Sequence, residues 1–144
     1  MHTGQKGIEL IKQFEGCKLK AYQCPAGIWT IGFGNTFYED GRKVKQGDEI
    51  QQSMADELLR NLLPKFEAIV KAKIKVLLTQ NQFDALVSHT YNTGGSETLF
   101  HFVNNKGHAS DIRNWLEKKY TTANGKELPG LVKRRKAEAD LYFS

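Results

Sequence analysis

The sequence predicts a mostly α-helical member of the α+β class, with a small lobe that contains a three-stranded antiparallel sheet and a larger helical lobe. Short segments in which apolar and small or polar residues alternate occur in the first third of the chain, and such alternation is typical of strands. Apolar residues at helical spacing dominate the remainder. A chain of 144 residues is also long enough to bury one proper core.

We therefore expect a single domain over 1–144, large enough to be catalytic. Within it we expect a β-rich lobe at about 16–63, a linker helix at about 64–75 and a helical lobe at about 79–144 that also takes in the N-terminal helix. The linker helix is expected to start at Pro64, because proline lacks the amide hydrogen that a helix interior needs.

The first helix is predicted from Ile8, Ile11 and Glu15, which recur at helical spacing and so share one face. Gly16 follows them, as is common after the last residue of a helix. A carboxyl group beside an apolar core is costly to ionise, and an acid that keeps its proton can protonate a leaving group. Taken alone, Glu15 would be interpreted as an ordinary surface residue at a helix end.

A β-hairpin follows this helix, with a tight turn predicted at Cys24–Gly27 from its proline and glycine. In the next segment bulky side chains alternate with small ones. The bulky residues are Trp29, Ile31 and Phe33, and the small ones are Thr30, Gly32 and Gly34. Because alternate residues face opposite sides of a strand, Thr30 is expected on a face open enough for a ligand.

The remaining elements are predicted from turn and capping signals. A third strand is expected near Arg42–Val44, after the turn signal of Asp40 and Gly41. Thr79 and Gln82 form a capping-box pattern at the start of a helix that is expected to end at the following pair of glycines. The remaining predicted helices span 96–103, 109–120 and 129–143.

The spacing E-x8-C-x5-T is formed by Glu15, Cys24 and Thr30 and is followed by the end of the segment W-T-I-G-F-G. Two later blocks follow in order, Q-F-D-A-L-V before Y-N-T-G and L-P-G-L-V before R-R. In these residues the chain resembles the phage-type lysozymes, family 24 of the glycoside hydrolases. The resemblance covers most of the chain and implies a lysozyme-like fold.

The resemblance implies an endolysin that hydrolyses the β-1,4 bond between N-acetylmuramic acid and N-acetylglucosamine of bacterial peptidoglycan and so lyses the host cell. It makes Glu15 the general acid, and it makes Cys24 and Thr30 the residues that position the attacking water. Inversion at the anomeric carbon is expected from that division of roles. The thiol stands where many members of the family carry aspartate, and it is a good substitute only when ionised or hydrogen-bonded.

Further site residues are implied by the same resemblance. Contacts with the saccharide are expected at Gly34, Tyr91, Asn92 and Asn114. Arg134 or Arg135 is expected to pair with Glu15, and the register of the last helix leaves the choice open. Asn35 stands where the family often has a histidine, and its amide can still form hydrogen bonds.

The formal charge of +5 indicates an anionic partner. The densest basic run is Lys133–Lys136, but no zinc-finger spacing or aromatic nucleic-acid motif accompanies it, so nucleic acid is not expected. The four histidines have no metal-ligand spacing, and neither a metal nor another cofactor is expected. The chain is expected to be a monomer. Cys17 is interpreted as a small half-buried residue, although a disulfide to Cys24 would make a redox switch.

No signal-peptide core or membrane-spanning run is found in the sequence. We therefore expect synthesis in the bacterial cytoplasm without stable membrane insertion. Peptidoglycan would be reached in the periplasm after the membrane is permeabilised, and the family resemblance implies a holin for that step.

Other classes of function compete with this interpretation. A lytic transglycosylase also uses one glutamate on a lysozyme-like fold but leaves anhydro-sugar ends. A cysteine peptidase or amidase would need a histidine near Cys24, and none is its neighbour in the sequence. A non-catalytic cationic wall-binding protein would act without Glu15.

Overall fold

The computed structural model describes residues 1–123 and 125–144. The chain divides into two compact units. The helical unit comprises Met1–Phe14 and Lys65–Ser144, and the sheet unit comprises Glu15–Pro64.

The described residues form six α-helices and four short strands. The helices are Gln5–Glu15 (α1), Gln52–Lys73 (α2), Gln80–Thr93 (α3), Glu97–Asn104 (α4), Ala109–Lys118 (α5) and Pro129–Tyr142 (α6). The strands are Lys18–Gln23 (β1), Trp29–Gly32 (β2), Thr122–Ala123 (β3) and Lys126–Glu127 (β4). The predicted mostly helical α+β class is therefore confirmed.

The N-terminus of α1 is held by the buried carboxylate of Asp84, a residue of α3. The backbone amides of Gly4 and Gly7 donate to its two oxygens at 2.9 and 3.2 Å. Gly7 lies so close that a Cβ atom there would be 2.8 Å from the Asp84 Cβ. Helix α1 then buries Ile11 completely and ends at Glu15, directly before Gly16, as predicted.

Strands β1 and β2 form the predicted antiparallel hairpin, with Gln23 opposite Trp29 and Tyr22 opposite Thr30. The turn between them is closed by a 2.8 Å hydrogen bond from the Gly27 amide to the Cys24 carbonyl. Gly27 has a φ of 80°, a conformation that favours glycine. The predicted turn is therefore confirmed.

The third strand is not where the sequence suggested. Residues 42–44 form only an isolated bridge, in which Lys43 lies opposite Phe37. Another turn follows them, and the chain then returns along the free edge of β1 at residues 48–50. The Ala21 amide donates to the Asp48 carbonyl, and the Ile50 amide donates to the Leu19 carbonyl, both at 2.9 Å. The hairpin prediction missed this second reversal.

The sheet unit has its own small apolar core of Ile31, Val44 and Leu58, with larger half-buried side chains around it. Leu58 comes from α2, so this helix covers the hairpin within the unit. Val44 is a buried member of this core although it lies outside the strands.

Helix α2 runs without a break through Pro64, so the expected start of a separate linker helix at this residue is wrong. A proline removes a single helix hydrogen bond. Leu59, Leu63 and Val70 are all at most 4% exposed, so side-chain packing continues on both sides of Pro64 and holds the chain helical. The expected linker at 64–75 is the second half of α2, which ends at Lys73.

In the helical unit, α3 packs against α6, α6 against α5, and α5 against α4. The predicted capping box of Thr79 and Gln82 is confirmed, as is the end of α3 at Gly94. The small antiparallel pair of β3 and β4 was not anticipated from the sequence patterns. None of the helices in the described parts of the chain is both long and apolar enough to cross a lipid bilayer.

We expect Gly7→Ala to destabilise the protein by about 1–3 kcal/mol, because the new methyl group overlaps Asp84. Gly130→Ala is the matched control, since a Cβ atom at that helical glycine meets nothing within 4 Å. Alanine there should be neutral or stabilising by up to about 1 kcal/mol. Urea denaturation of both variants gives the measurement, and equal stabilities would contradict the close approach of α1 to Asp84.

Candidate active site

The polar side chains of the hairpin meet at its turn. Cys24 is the first residue after β1 and is half-buried. Thr30 lies in β2, opposite Tyr22, so the strand register brings its hydroxyl to the same end of the hairpin. A hydrogen bond from the Thr30 side chain to the Cys24 thiolate contributes to the ionisation of the thiol.

The pKa of Cys24 is lowered from its ordinary value. The largest cause is a hydrogen bond from the backbone amide of Ile28, and the amide of Ala26 and the Thr30 side chain act in the same direction. Desolvation opposes them but does not outweigh them. The amides of the turn therefore stabilise the thiolate of Cys24, as the amides at a helix N-terminus commonly do for a reactive cysteine.

Thr30 is only 4% exposed, so the prediction of an open ligand-binding face at this residue is wrong. Its hydroxyl donates to the Ile28 carbonyl at 3.0 Å. A hydroxyl carries a single hydrogen, so Thr30 can donate either to this carbonyl or to the thiolate at any one time. The hydroxyl can therefore switch partner when Cys24 ionises.

Glu15 is half-buried at the end of α1, on the face that also carries the buried Ile11. The charges of Glu15 and of Cys24 both act on the phenol of Tyr22. The pKa of Tyr22 is raised, first by burial and then by the negative charges of Cys24 and Glu15. One phenol thus lies within electrostatic reach of both predicted reactive groups.

Tyr22 was missed as a site residue by the sequence reasoning. The sequence spacing offered a signal, because Tyr22 lies near the end of β1 and Cys24 follows the strand directly, two positions later. The pairing of Tyr22 with Thr30 across the sheet adds a contact that single-sequence spacing does not give.

Two further residues of the sheet unit follow β2. Gly34 is exposed, as a contact for a saccharide requires. Asn35 is 3% exposed, and its side-chain amide donates to the Leu58 carbonyl at 3.3 Å. Asn35 therefore anchors the turn after β2 to α2, in keeping with the expectation that an amide can form hydrogen bonds at this position.

The other predicted saccharide contacts belong to the helical unit. Tyr91 is half-buried and packs on Phe66, with ring centroids 4.8 Å apart. Asn92 is exposed near the end of α3, and Asn114 is exposed on α5. Their roles toward a saccharide stay predictions.

Arg134 and Arg135 are both buried, and both contact the fully buried carboxylate of Glu138 on the same helix, at 3.3 and 3.2 Å. Burial alone would raise the pKa of Glu138, but the hydrogen bond from His89 and the charges around it lower the pKa on balance. Arg135 also donates to the Asn92 side-chain oxygen at 2.6 Å. The expected pairing of Arg134 or Arg135 with Glu15 stays a prediction.

His89 ties this cluster to α3. Its Nδ1 atom lies 3.3 Å from Glu138 Oε1 and 3.2 Å from Arg135 Nη1, and a ring nitrogen cannot donate to one and accept from the other at once. Ser88 adds a hydroxyl that donates to Glu138 at 2.6 Å. The carboxylate is therefore held by α3 and α6, which explains why α6 buries Arg134 and Arg135 while Lys133 and Lys136 stay exposed.

The two cysteines are free thiols, and Cys17 Sγ lies 3.7 Å from the Gln52 side-chain oxygen. They flank β1 at opposite ends. An extended strand of that length separates its ends by roughly 20 Å, whereas the Cα atoms of a disulfide lie within about 7 Å. A Cys17–Cys24 redox switch therefore cannot form while β1 is intact.

Within residues 1–123 and 125–144, no three or more histidine, cysteine, aspartate or glutamate side chains lie together in a group that could hold a metal ion.

Comparison with known proteins gives consistent results. A family model described as phage lysozyme matches residues 12–138. The endolysin of Acyrthosiphon pisum secondary endosymbiont phage 1 is 41% identical over 153 residues, an alignment that covers all of this chain and 99% of that protein.

Two solved structures are similar over the whole chain. An endolysin from Escherichia coli O157:H7 phage FAHEc1 has a TM-score of 0.87 and 37% identity, covering 100% of this chain and 94% of that one. The muramidase domain of SpmX from Asticaccaulis excentricus has a TM-score of 0.85 and 34% identity, with coverage of 100% and 99%.

The fold and these similarities define the protein as a lysozyme, an enzyme of the peptidoglycan-lysing class. The chain belongs to the phage lysozyme family.

We expect Cys24 to be alkylated at unusually low pH, since turn amides stabilise its thiolate. In a Cys17→Ser background, the rate of reaction with iodoacetamide should reach half its maximum below pH about 8.5, the ordinary thiol value. Adding Thr30→Val should move this midpoint upward, because the thiolate loses one donor. A midpoint at or above the ordinary value in the Cys17→Ser protein would contradict the role of the turn.

Proposed function

We propose that this lysozyme is a muramidase that hydrolyses the β-1,4 bond between N-acetylmuramic acid and N-acetylglucosamine. In this proposal Glu15 is the general acid, and Cys24 and Thr30 position the attacking water. The observation that carries the proposal is the hairpin register, which places Thr30 opposite Tyr22 at the end of the hairpin where the turn begins at Cys24. The half-buried Glu15 ends α1 directly before this hairpin. A muramidase domain among the similar structures supports the choice of bond.

Glu15 gives its proton to the glycosidic oxygen as the bond to the anomeric carbon breaks. The side chain is half-buried at the last residue of α1, directly before the hairpin that carries Cys24 and Thr30. After the leaving sugar departs, Glu15 is ionised and must regain a proton from solvent.

Cys24 takes the part that a carboxylate plays in many related enzymes. Its thiolate accepts a hydrogen bond from the water that attacks the anomeric carbon, and its negative charge stabilises the oxocarbenium-like transition state. As the water oxygen bonds to that carbon, the thiolate takes up the proton that the water loses and later releases it to solvent. Thr30 shares the water. Its hydroxyl hydrogen is donated to the thiolate in this state, which leaves its oxygen to accept a hydrogen bond from the water. A water that attacks from the side opposite the leaving group gives inversion.

The saccharide contacts that we propose are Gly34 in the sheet unit and Tyr91, Asn92 and Asn114 in the helical unit. An aromatic face suits the C–H groups of a sugar, and side-chain amides suit its hydroxyls. The hydrogen bond from the buried Arg135 fixes the orientation of the Asn92 amide. Both units belong to one catalytic domain over 1–144 in this proposal.

In the cell, we propose that the enzyme acts as an endolysin. It is made in the bacterial cytoplasm as a monomer and reaches peptidoglycan in the periplasm once a holin has permeabilised the membrane. The endolysins among its relatives support this cellular role. Hydrolysis of the wall then lyses the host.

We expect Glu15→Gln to slow fragment release from purified peptidoglycan by about 10²–10⁴-fold, the range that a general acid contributes. Glu9→Gln is the matched control, because Glu9 is an exposed glutamate of the same helix whose carboxylate accepts a hydrogen bond from the Gln5 side chain at 3.2 Å. Mass spectrometry of the released fragments gives both the rate and the structure of the new chain ends.

The wild type and Glu9→Gln should release fragments with hydrated, reducing N-acetylmuramic acid ends. Anhydro ends would identify a lytic transglycosylase, and cleaved peptides would identify an amidase or peptidase. Lysis that survives in Glu15→Gln would mean that the protein acts as a cationic wall-binding protein, and the proposal would then be abandoned.

A further inference from the structure

The loop between α2 and α3 carries the most exposed apolar side chain described in the helical unit. Leu77 is 100% exposed, and it is the contiguous apolar surface around it that is informative. The loop itself is anchored. The Asn104 side chain accepts from the Lys75 amide at 2.6 Å and donates to the Lys73 carbonyl at 2.8 Å.

Apolar surface extends from Leu77 in two directions. Val76, Leu77 and Leu78, here called the Leu77 patch, line a groove on either side of the loop. The half-exposed Met1 contributes to one groove, and Phe143, which is 37% exposed, contributes to the other. The patch is therefore a protruding leucine between two apolar grooves.

Positive charge surrounds the Leu77 patch. The segment 71–78 reads K-A-K-I-K-V-L-L and contains no acidic residue. Lys71 borders one groove and Lys106 the other. Among these lysines, Lys73 is paired with the exposed Glu97 at 2.8 Å, which offsets its charge locally.

We propose that the Leu77 patch docks onto the surface of an anionic phospholipid bilayer. A single aliphatic side chain on an anchored loop can enter the headgroup region, and flexible ammonium groups beside it can contact lipid phosphates. The absence of acidic residues in 71–78 makes the charge complementary to such a surface. This is a peripheral contact through one loop and is independent of the proposed hydrolysis.

The choice of a bilayer over a protein partner rests on shape and charge. The core of a protein interface is ordinarily enriched in aromatic residues and depleted in charged ones. The Leu77 patch instead has a protruding aliphatic side chain at its centre and lysines beside it. The charged groups here have long flexible side chains, which adapt to mobile lipid headgroups without a fixed geometry.

The test is co-sedimentation of the full chain with vesicles of phosphatidylcholine alone or mixed with phosphatidylglycerol. We expect binding to the mixed vesicles, weak binding to the neutral ones, and loss of binding as salt is raised. Leu77→Ser should weaken binding by about tenfold or more, as expected from the loss of a buried leucine. Lys75→Gln with Lys106→Gln should weaken it by about fivefold for each lysine removed.

Leu128→Ser is the matched control, since Leu128 is a second exposed leucine of the helical unit at 40% exposure and lies outside both grooves. It should bind like the wild type. Leu77→Trp adds a direct readout, because its emission should shift to shorter wavelength on anionic vesicles against the background of the native tryptophans. Hydrolysis of purified peptidoglycan should be unchanged in Leu77→Ser, which separates this contact from the catalytic role of Glu15.

Equal binding of Leu77→Ser and wild type, or equal binding to neutral and anionic vesicles, would overturn the proposal. So would the absence of binding to either vesicle. A Leu77-dependent dimer in sedimentation velocity would assign the patch to a second copy of the chain and would also overturn it.

Discussion

The buried carboxylate of Asp84 holds the start of α1, the helix that ends in the proposed acid. It accepts from the amides of Gly4 and Gly7, and the Gln80 side chain donates to it at 2.7 Å. A carboxylate at this position is stabilised by charge-assisted hydrogen bonds and by the dipole of the helix whose amides it binds. The close contact requires glycine at position 7. A charged residue of α3 thus fixes the helix from which Glu15 projects.

Backbone amides have a similar role at the hairpin turn. There the amides of Ile28 and Ala26 face the Cys24 thiol and lower its pKa, so a tight turn supplies the positive potential that a thiolate needs. The register of β1 and β2 also contributes, because the pairing of Tyr22 with Thr30 brings the Thr30 hydroxyl to the end of the hairpin where Cys24 lies. Both proposed water-positioning residues therefore depend on backbone geometry more than on neighbouring charges.

Elements governed by local rules could be predicted from the sequence. Helix periodicity, the capping box at Thr79 and the turn at Cys24 each depend on residues close in the chain. Three features could not be predicted, because tertiary contacts decide them. The chain at 48–50 joins β1 only after a second reversal, packing carries α2 through Pro64, and the burial of Thr30 closes a face that alternation alone leaves open.

The most direct test of the proposed mechanism is the stereochemistry of the first product. Proton NMR during early hydrolysis of a soluble peptidoglycan fragment distinguishes the anomers of the new reducing end before they equilibrate. Attack by a water held at Cys24 and Thr30, opposite a leaving group protonated by Glu15, gives the α-anomer first. Initial accumulation of the β-anomer would mean retention and would contradict the roles assigned to Cys24 and Thr30.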